Sequence, residues 1–159
     1  DWLLSIPDGV GLVIDLGPVQ PDIPDQVLMP LLARATMLTG NDLEMGRLED
    51  RLGGAQAIRE ACPRALIVRR TGAHGCVLHP VDGEPIEVAG FVRDVVDTTG
   101  AGDTHTGVLV AGLLDGLDVV EAARRANAAA AHAVACTGPA QAPLREEIDR
   151  FLRESDERL

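Results

Sequence analysis

Apolar runs alternate with stretches of helical periodicity along this sequence. Short runs rich in Val, Ile and Leu predict strands at residues 10–16, 36–39 and 65–70, and a hairpin at residues 76–80 and 85–88. Apolar residues at helical spacing predict helices at residues 25–35, 41–52, 54–62, 102–114, 119–136 and 144–153. Pro30 is expected to kink or shorten the first of these helices. This alternation predicts an α/β fold in which helices cover both faces of a parallel sheet.

The length of 159 residues is that of one ordinary domain. The chain is 46% apolar and 25% charged, which excludes disorder as the default and allows a sizeable core. Because no linker and no internal repeat divides it, residues 1–159 are expected to belong to a single α/β domain. No apolar run approaches the roughly 20 residues of a membrane helix, so no membrane partner is expected.

Charge and residue usage narrow the chemistry further. Fourteen basic and 25 acidic residues give a net charge of -11, which disfavours nucleic acid and anionic membranes as partners. All of the basic residues are Arg, so mechanisms that need a lysine, such as a Walker A loop or a Schiff base, are excluded. The 3 cysteines are scattered, which argues against a disulfide framework or a zinc site and predicts a cytoplasmic location.

The segment at residues 96–107 (VDTTGAGDTHTG) is the strongest candidate for chemistry. It follows a predicted strand and opens a long apolar helix, so Gly100 and Gly102 would present backbone N–H groups to an anion. Asp103 lies in the first helical turn, where the helix dipole favours negative charge, and it suits abstraction of a hydroxyl proton. Alternatively, the glycines only shape a turn and Asp103 only caps the helix. A dinucleotide fingerprint fits less well, because His105 stands where its third glycine belongs.

Four elements in order resemble the ribokinase (PfkB) family of carbohydrate kinases. The sequence DTTGAGD at residues 97–103 resembles the C-terminal signature of that family, and Asn41-x-x-Glu44 resembles its N-x-x-E motif. Residues 70–75 (RTGAHG) resemble its glycine turn beneath the nucleotide, and Asn127 occupies a helix position near the nucleotide. The resemblance implies a ribokinase-like three-layer α/β/α fold with a mostly parallel sheet. It also implies transfer of the ATP γ-phosphoryl group to a hydroxyl of a sugar or nucleoside.

The same resemblance implies a role for each candidate residue. Asp103 would be the catalytic base, and the anion hole would be formed by Gly100, Ala101 and Gly102. Binding of ATP would use Asn41, Arg70, Thr71, Gly72, Ala73, His74, Gly75, Gly102 and Asn127. Glu44 would hold Mg²⁺ through water. A K⁺ site, which many members have, would use Asp97, Thr99, Ala133, Cys136 and Gly138. Ala142 stands where a serine hydroxyl often completes that site, so K⁺ dependence stays open.

Each element also has a purely structural interpretation. Asn41 and Glu44 have the spacing of a helix capping box. The glycines of residues 70–75 are also typical of an ordinary turn, and Asn127 also fits an exposed position on an Ala-rich helix. His105 replaces a Phe that is common in the family, and it is expected to pack near the site rather than act as a second base.

The N-terminal half of the family, with its sugar-binding carboxylate and small β-sheet lid, has no counterpart in these residues. The chain is therefore expected to be the nucleotide-binding C-terminal half of a kinase, inactive by itself and part of a homodimer in the complete enzyme. The alternative is a non-catalytic α/β module that binds a nucleotide or a partner. The residues do not specify whether a sugar or a nucleoside accepts the phosphoryl group.

Overall fold

The computed structural model describes residues 2–138 and 142–157. Its α-helices are α1 (Asp25–Arg34), α2 (Asp42–Leu52), α3 (Ala55–Ala61), α4 (Ala101–Leu114), α5 (Val119–Val134) and α6 (Arg145–Asp156). Its strands are β1 (Val13–Asp15), β2 (Met37–Asn41), β3 (Leu66–Arg70), β4 (Gly75–His79) and β5 (Ile86–Ala89). Short 3₁₀ helices cover Trp2–Ser5, Gln20–Asp22 and Gly72–His74. None of the helices in the described ranges has the length and apolarity needed to cross a membrane.

The strands form one mixed, mostly parallel sheet in the order β1-β2-β3-β4-β5. β2 pairs in parallel with β1 and with β3, so that Met37 lies opposite both Val13 and Leu66. β2 (MLTGN) is buried along residues 37–40 on both of its faces, as is typical of a central strand of a parallel sheet. The predicted α/β class with a mostly parallel sheet is confirmed.

Two compact units make up the chain, and each has its own core. The first comprises the chain up to Arg70 together with Val77–Ile86, and the second comprises Thr71–Cys76 together with the chain from Glu87 onward. The first core includes the fully buried side chains of Leu32, Leu38, Leu48 and Ile58. A core cluster of the second unit joins α5 to α6 through Ala128, Ala129, Ile148 and Leu152. That all of residues 1–159 form a single domain stays a prediction.

Helix α1 continues through Pro30 to Arg34. The expectation that the proline shortens the helix is therefore wrong. Leu28 and Leu32 flank Pro30 on the buried face and are 2% and 0% exposed. Burial of two leucines contributes several kcal/mol, roughly 1.5–3 each, which is enough to offset the ~3 kcal/mol cost of an internal proline. Packing therefore decides the length of this helix.

The segment before α4 is held by backbone hydrogen bonds outside the sheet. Residues 90–99 contain no strand. The backbone N–H groups of Val96 and Asp97 instead donate to the carbonyl oxygen of Val134, at 2.8 and 3.2 Å. The three valines of this segment, Val92, Val95 and Val96, are 82%, 64% and 60% exposed and do not belong to the core.

Helices α4 and α5 form a helical hairpin in the second unit. Gly100 precedes α4 with a left-handed φ of 80°, and the Asp118 carboxylate caps α5 by accepting two backbone N–H groups of its first turn. The tip of the hairpin is the turn at residues 115–118, where Gly116 has a φ of 83°. The base is closed by the Val96 and Asp97 amides that donate to Val134 at the end of α5.

Candidate functional site

In the first unit, Asn41 and Glu44 form a capping box at the start of α2. The Asn41 side chain accepts the Glu44 N–H at 2.9 Å, and the Glu44 carboxylate accepts the Asn41 N–H at 2.8 Å. Asn41 is also the last residue of β2, so the box lies where a parallel strand ends, the edge at which α/β sheets bind ligands. The capping role that the spacing predicts is confirmed, and the metal role of Glu44 stays a prediction.

Arg70, the last residue of β3, lies between two carboxylates of the first unit. Its guanidinium donates to both Asp15 oxygens at 2.5 and 3.0 Å, to Thr39 Oγ1 at 3.2 Å and to Glu44 Oε2 at 3.3 Å. The Arg70 and Glu44 side chains are each only 11% exposed. One cation thus serves two carboxylates, and its interaction with the buried Glu44 is stronger than that of a surface pair.

A glycine turn joins β3 to β4 at residues 72–75. Thr71 N–H donates to the Gly75 carbonyl at 2.8 Å, and Gly75 has a φ of 102°. A Cβ on Gly75 would lie 2.1 Å from the Val88 carbonyl oxygen, so only glycine fits. On the opposite strand, Gly90 donates its N–H to the His74 carbonyl at 2.9 Å. The sequence RTGAHG therefore specifies a turn whose backbone packs directly against backbone, and its nucleotide role stays a prediction.

The turn before α4 presents the carboxylate of Asp103 to solvent. The Ala101 N–H donates to the Thr98 carbonyl at 3.2 Å, and the Thr104 N–H donates to the Gly100 carbonyl at 2.9 Å. The N–H groups of Gly100 and Asp103 have no acceptor within the described residues. Of the predicted anion hole, the Gly100 N–H is thus available within the described residues, whereas the Ala101 N–H is already used inside the turn. The Asp103 N–H is a further donor next to the hole.

A cavity of about 390 Å³ adjoins this turn. It is lined by Thr99, Gly100, Asp103, Thr104, Gly107, Val108 and Ala142. We call it the Asp103 cavity, because Asp103 is the one ionisable residue among its lining residues in the described part of the chain. A polar group bound there would find its partners in the Asp103 carboxylate, the hydroxyl-bearing Thr99 and Thr104, and the N–H groups of the turn.

Asp97 holds together two loops of the second unit. Its Oδ1 accepts the Thr99 N–H at 2.9 Å, and its Oδ2 accepts the Gly138 N–H at 3.2 Å. The structure therefore brings together Asp97, Thr99 and Gly138, three of the five residues predicted to bind K⁺. The other two, Cys136 and Ala133, are joined by a hydrogen bond from the Cys136 N–H to the Ala133 carbonyl. Both Asp97 oxygens already accept backbone hydrogen bonds, so the loops meet without a cation. A K⁺ site here stays a prediction.

The hydrogen bonds to Asp97 predict an acid-dependent loss of stability. Donation from the Thr99 backbone, its largest cause, lowers the pKa of Asp97 below the ordinary value of 3.8. A carboxyl whose pKa is lower in the folded state stabilises the fold fully above pH 3.8 and loses that contribution as the pH falls further. Asp97→Asn should therefore lower the melting temperature at neutral pH. The difference from the wild type should shrink as the pH falls below 3.8. An unchanged difference across the acid range would contradict the role of the ionised carboxylate.

Asn127 is buried in the second unit, and its amide is used within the fold. It is 5% exposed, and its Nδ2 donates to the carbonyls of Val88 and Ala89 at 3.0 and 3.1 Å. Its Oδ1 lies 3.0 Å from Nε2 of His105, which is 3% exposed. Because Asn127 is buried, the alternative of an exposed polar residue is wrong. A buried amide needs hydrogen-bond partners, and these contacts supply them. The packing role predicted for His105 agrees with its burial.

Two members of the site clusters escaped the sequence analysis. Asp15 lies in the strand predicted at residues 10–16 and Thr39 in the one predicted at 36–39, and neither is a predicted site residue, yet both contact Arg70. A signal was present in their placement, since Asp15, Thr39 and Arg70 all lie at or near the carboxyl ends of adjacent parallel strands. The strand order needed to use that signal is not contained in the local pattern.

Comparison with known proteins decides the family. The model of the pfkB family carbohydrate kinases matches residues 13–146. The chain belongs to this family. Among curated relatives, this pfkB-family chain is 32% identical over 164 residues to an uncharacterized sugar kinase, YegV, of Escherichia coli K12. That match covers 93% of this chain and 47% of the relative.

Solved structures similar to this pfkB-family chain are ribokinases and nucleoside kinases, so the fold is ribokinase-like. A Burkholderia thailandensis nucleoside kinase in complex with inosine has a TM-score of 0.82 and 30% identity, over 95% of this chain and 49% of that one. An Arabidopsis thaliana ribokinase complexed with ribose and ATP has a TM-score of 0.76 and 29% identity, over 91% and 48%. The chain thus spans about half the length of the proteins it matches.

Proposed function

We propose that this chain is the nucleotide-binding and base-bearing part of an ATP-dependent kinase that phosphorylates a hydroxyl of a sugar or nucleoside. The observation that carries the proposal is the position of Asp103. Its exposed carboxylate lies in the first turn of α4 and lines the Asp103 cavity beside the N–H groups of Gly100 and of Asp103 itself. Similar structures hold ribose and ATP, or inosine, which supports these substrate classes for the whole protein.

The chemistry asks for a base at the acceptor hydroxyl and for donors at the migrating phosphoryl group. Asp103 would accept the hydroxyl proton as the oxygen attacks the γ-phosphorus. The Gly100 and Asp103 N–H groups, together with the positive end of the α4 dipole, would stabilise the negative charge on the transferred phosphoryl oxygens. Phosphoryl transfer depends mainly on positioning and charge stabilisation, so a carboxylate and a backbone turn are sufficient protein groups.

The donor set of the first unit fits Mg²⁺ held mainly by water and phosphate. No group of three or more His, Cys, Asp or Glu that would enclose a metal occurs in the described ranges. Mg²⁺ keeps several waters and takes one or two carboxylates together with phosphates, so Glu44 is sufficient and the Asn41 amide lies next to it. When bound, Mg²⁺ neutralises charge on the phosphate oxygens. Arg70 beside Glu44 disfavours direct contact with the metal and favours contact through water.

Glu44→Gln separates the metal role from the capping role. Glutamine still accepts the Asn41 N–H, so the capping box is retained while the negative charge is lost. In the whole kinase, the Mg²⁺ concentration for half-maximal rate should rise about tenfold, as it does when outer ligands of a metal are removed. Glu49→Gln, on the same helix and paired with Arg69, is the matched control and should leave it unchanged. An unchanged Mg²⁺ requirement in Glu44→Gln would leave Glu44 with its capping role only.

The proposal is tested first on the 159-residue chain. We expect it to bind ATP, measured by calorimetry, and to show no sugar- or nucleoside-dependent turnover near the ordinary enzyme rate of roughly 1 s⁻¹ or more. The residues present supply a base and a nucleotide site, whereas a kinase also has to orient an acceptor hydroxyl and exclude water. Absence of ATP binding would contradict the proposed nucleotide site. Turnover by the chain alone would contradict the assignment to one part of a kinase.

A further inference from the structure

The Asn127 amide is the central member of a buried hydrogen-bond network in the second unit. A carbonyl oxygen only accepts hydrogen bonds, so the contact between Asn127 Oδ1 and His105 fixes Nε2 of His105 as the donor. The two N–H groups of the amide go to the Val88 and Ala89 carbonyls. This assignment satisfies the whole amide, and the flipped amide would place its oxygen against two carbonyls.

One branch of the network leads to the glycine turn. Val88 and Ala89, which accept from Asn127, immediately precede Gly90, and the Gly90 N–H holds the His74 carbonyl at 2.9 Å. Gly75 packs against the Val88 carbonyl so closely that no Cβ fits between them. Because both contacts join backbone to backbone, a shift of residues 88–90 displaces residues 74 and 75 directly.

The other branch leads to the helix that carries Asp103. His105 lies two residues after Asp103 within the first turns of α4, and it is 3% exposed. Burial also raises the pKa of the Cys76 thiol, which contacts Asn127, to about 11, so the thiol stays neutral beside the network at neutral pH. The amide of Asn127 is therefore a bridge with α4 on one side and the 88–90 backbone on the other.

We propose that His105 and Asn127 form a positioning pair that fixes the start of α4, and with it Asp103, relative to the glycine turn at residues 72–75. The pair acts through other groups and does not itself touch a substrate. The inference deepens the proposed function, since the turn and Asp103 are its nucleotide and base elements. It assigns Asn127 the role of holding these elements in place, in addition to the nucleotide contact that the resemblance implies.

The test uses His105→Phe and His105→Gln in the 159-residue chain. Phenylalanine keeps an aromatic ring and removes the donor, whereas the glutamine amide restores an N–H for Asn127 Oδ1. Amide hydrogen exchange is followed at Gly90 and Thr71, whose N–H groups are bonded at the glycine turn, and at Thr104 in α4. We expect exchange at all three to rise roughly tenfold or more in His105→Phe, because a buried acceptor loses its partner, and to stay near the wild type in His105→Gln.

Two comparisons separate positioning from general destabilisation. Leu152→Ala removes a core side chain of α6 in the same unit, and it is expected to lower the melting temperature without a selective rise at Gly90 and Thr71. If the larger ring of His105→Phe prevents folding, His105→Leu removes the donor in a smaller side chain. Exchange at Gly90 and Thr71 that follows only the melting temperature in every variant would overturn the proposal.

Binding of ATP gives a second, separate measurement. His105→Phe should weaken ATP binding by about tenfold well below its melting temperature, and His105→Gln should restore it. If the wild-type chain binds no ATP, the proposed function fails, while the exchange data still decide whether the two elements are coupled. If ATP binding is unchanged in a folded His105→Phe chain, the positioning role is overturned and the proposed function stands.

Discussion

Replacing Asp103 by Asn in the whole kinase is expected to lower kcat by about a hundredfold or more, the usual scale of general base catalysis. Asparagine has nearly the same shape and cannot accept the hydroxyl proton. Because Asp103 is exposed and has no partner within the described residues, its replacement should leave the fold intact. Steady-state kinetics should show the loss in kcat, while calorimetry should show little change in the Kd for ATP.

The matched control is Asp94→Asn. Asp94 is also an exposed carboxylate, and it lies in the loop that leads to Gly100 and the start of α4. It does not line the Asp103 cavity, so its replacement should leave kcat and ATP affinity near the wild type. Near-normal turnover of Asp103→Asn would remove Asp103 from the mechanism, and an equal loss in both variants would point to the overall charge of the surface instead.

Arg70→Met is expected to lower the free energy of unfolding by about 3 kcal/mol, because the buried Glu44 carboxylate and the half-buried Asp15 carboxylate lose their cation. The Glu44 side chain is 11% exposed and that of Asp15 27%, so most of the loss is expected from Glu44. Methionine preserves much of the volume, so the loss reports on charge rather than on a cavity. Urea denaturation of the 159-residue chain, followed by circular dichroism, measures the effect.

The neighbouring residue provides the control for this substitution. Arg69 lies on the same strand and pairs with Asp42 and Glu49, but its side chain is 30% exposed and that of Asp42 is 60% exposed. Arg69→Met should therefore cost no more than about 1 kcal/mol, as is usual for exposed ion pairs. Equal losses for the two variants would mean that the Arg70 cluster is no more strongly coupled than a surface pair.

Periodicity was sufficient to predict the helices and most strands, because each of those patterns is local. Local patterns are insufficient where tertiary contacts decide the structure. Of the two effects expected of Pro30, a kink or a shorter helix, the shortening does not occur, because burial of its neighbours keeps α1 going to Arg34. The loop before Gly100 has no local signal of its fixing contact, because its Val96 and Asp97 amides bind the Val134 carbonyl 37 residues or more along the chain.

The candidate site was predictable as a set of residue types but not as a set of partners. The N-x-x-E spacing specifies a capping box within four residues, and the structure contains it. By contrast, Arg70 finds Asp15 across 55 residues, and Asn127 finds His105 across 22. Such pairs depend on which strands and helices lie side by side. A burial pattern does not specify such pairs, so the sequence leaves open whether Asn127 is exposed, and only the burial of its side chain shows that it is not. Its place near a nucleotide stays a prediction.

The geometry of the α4–α5 hairpin indicates where this chain tolerates added sequence. Its base is tied to the Asp97 loop, whereas its tip at residues 115–118 is an exposed turn with Gly116 in a left-handed conformation. At 1.5 Å per helical residue, the tip lies about 20 Å from Asp103 along α4. A reporter domain or affinity tag inserted at Gly116 would lengthen a surface turn without passing near the turn that starts α4. The hairpin tip is thus a suitable place to attach a probe that reports on the site from a distance.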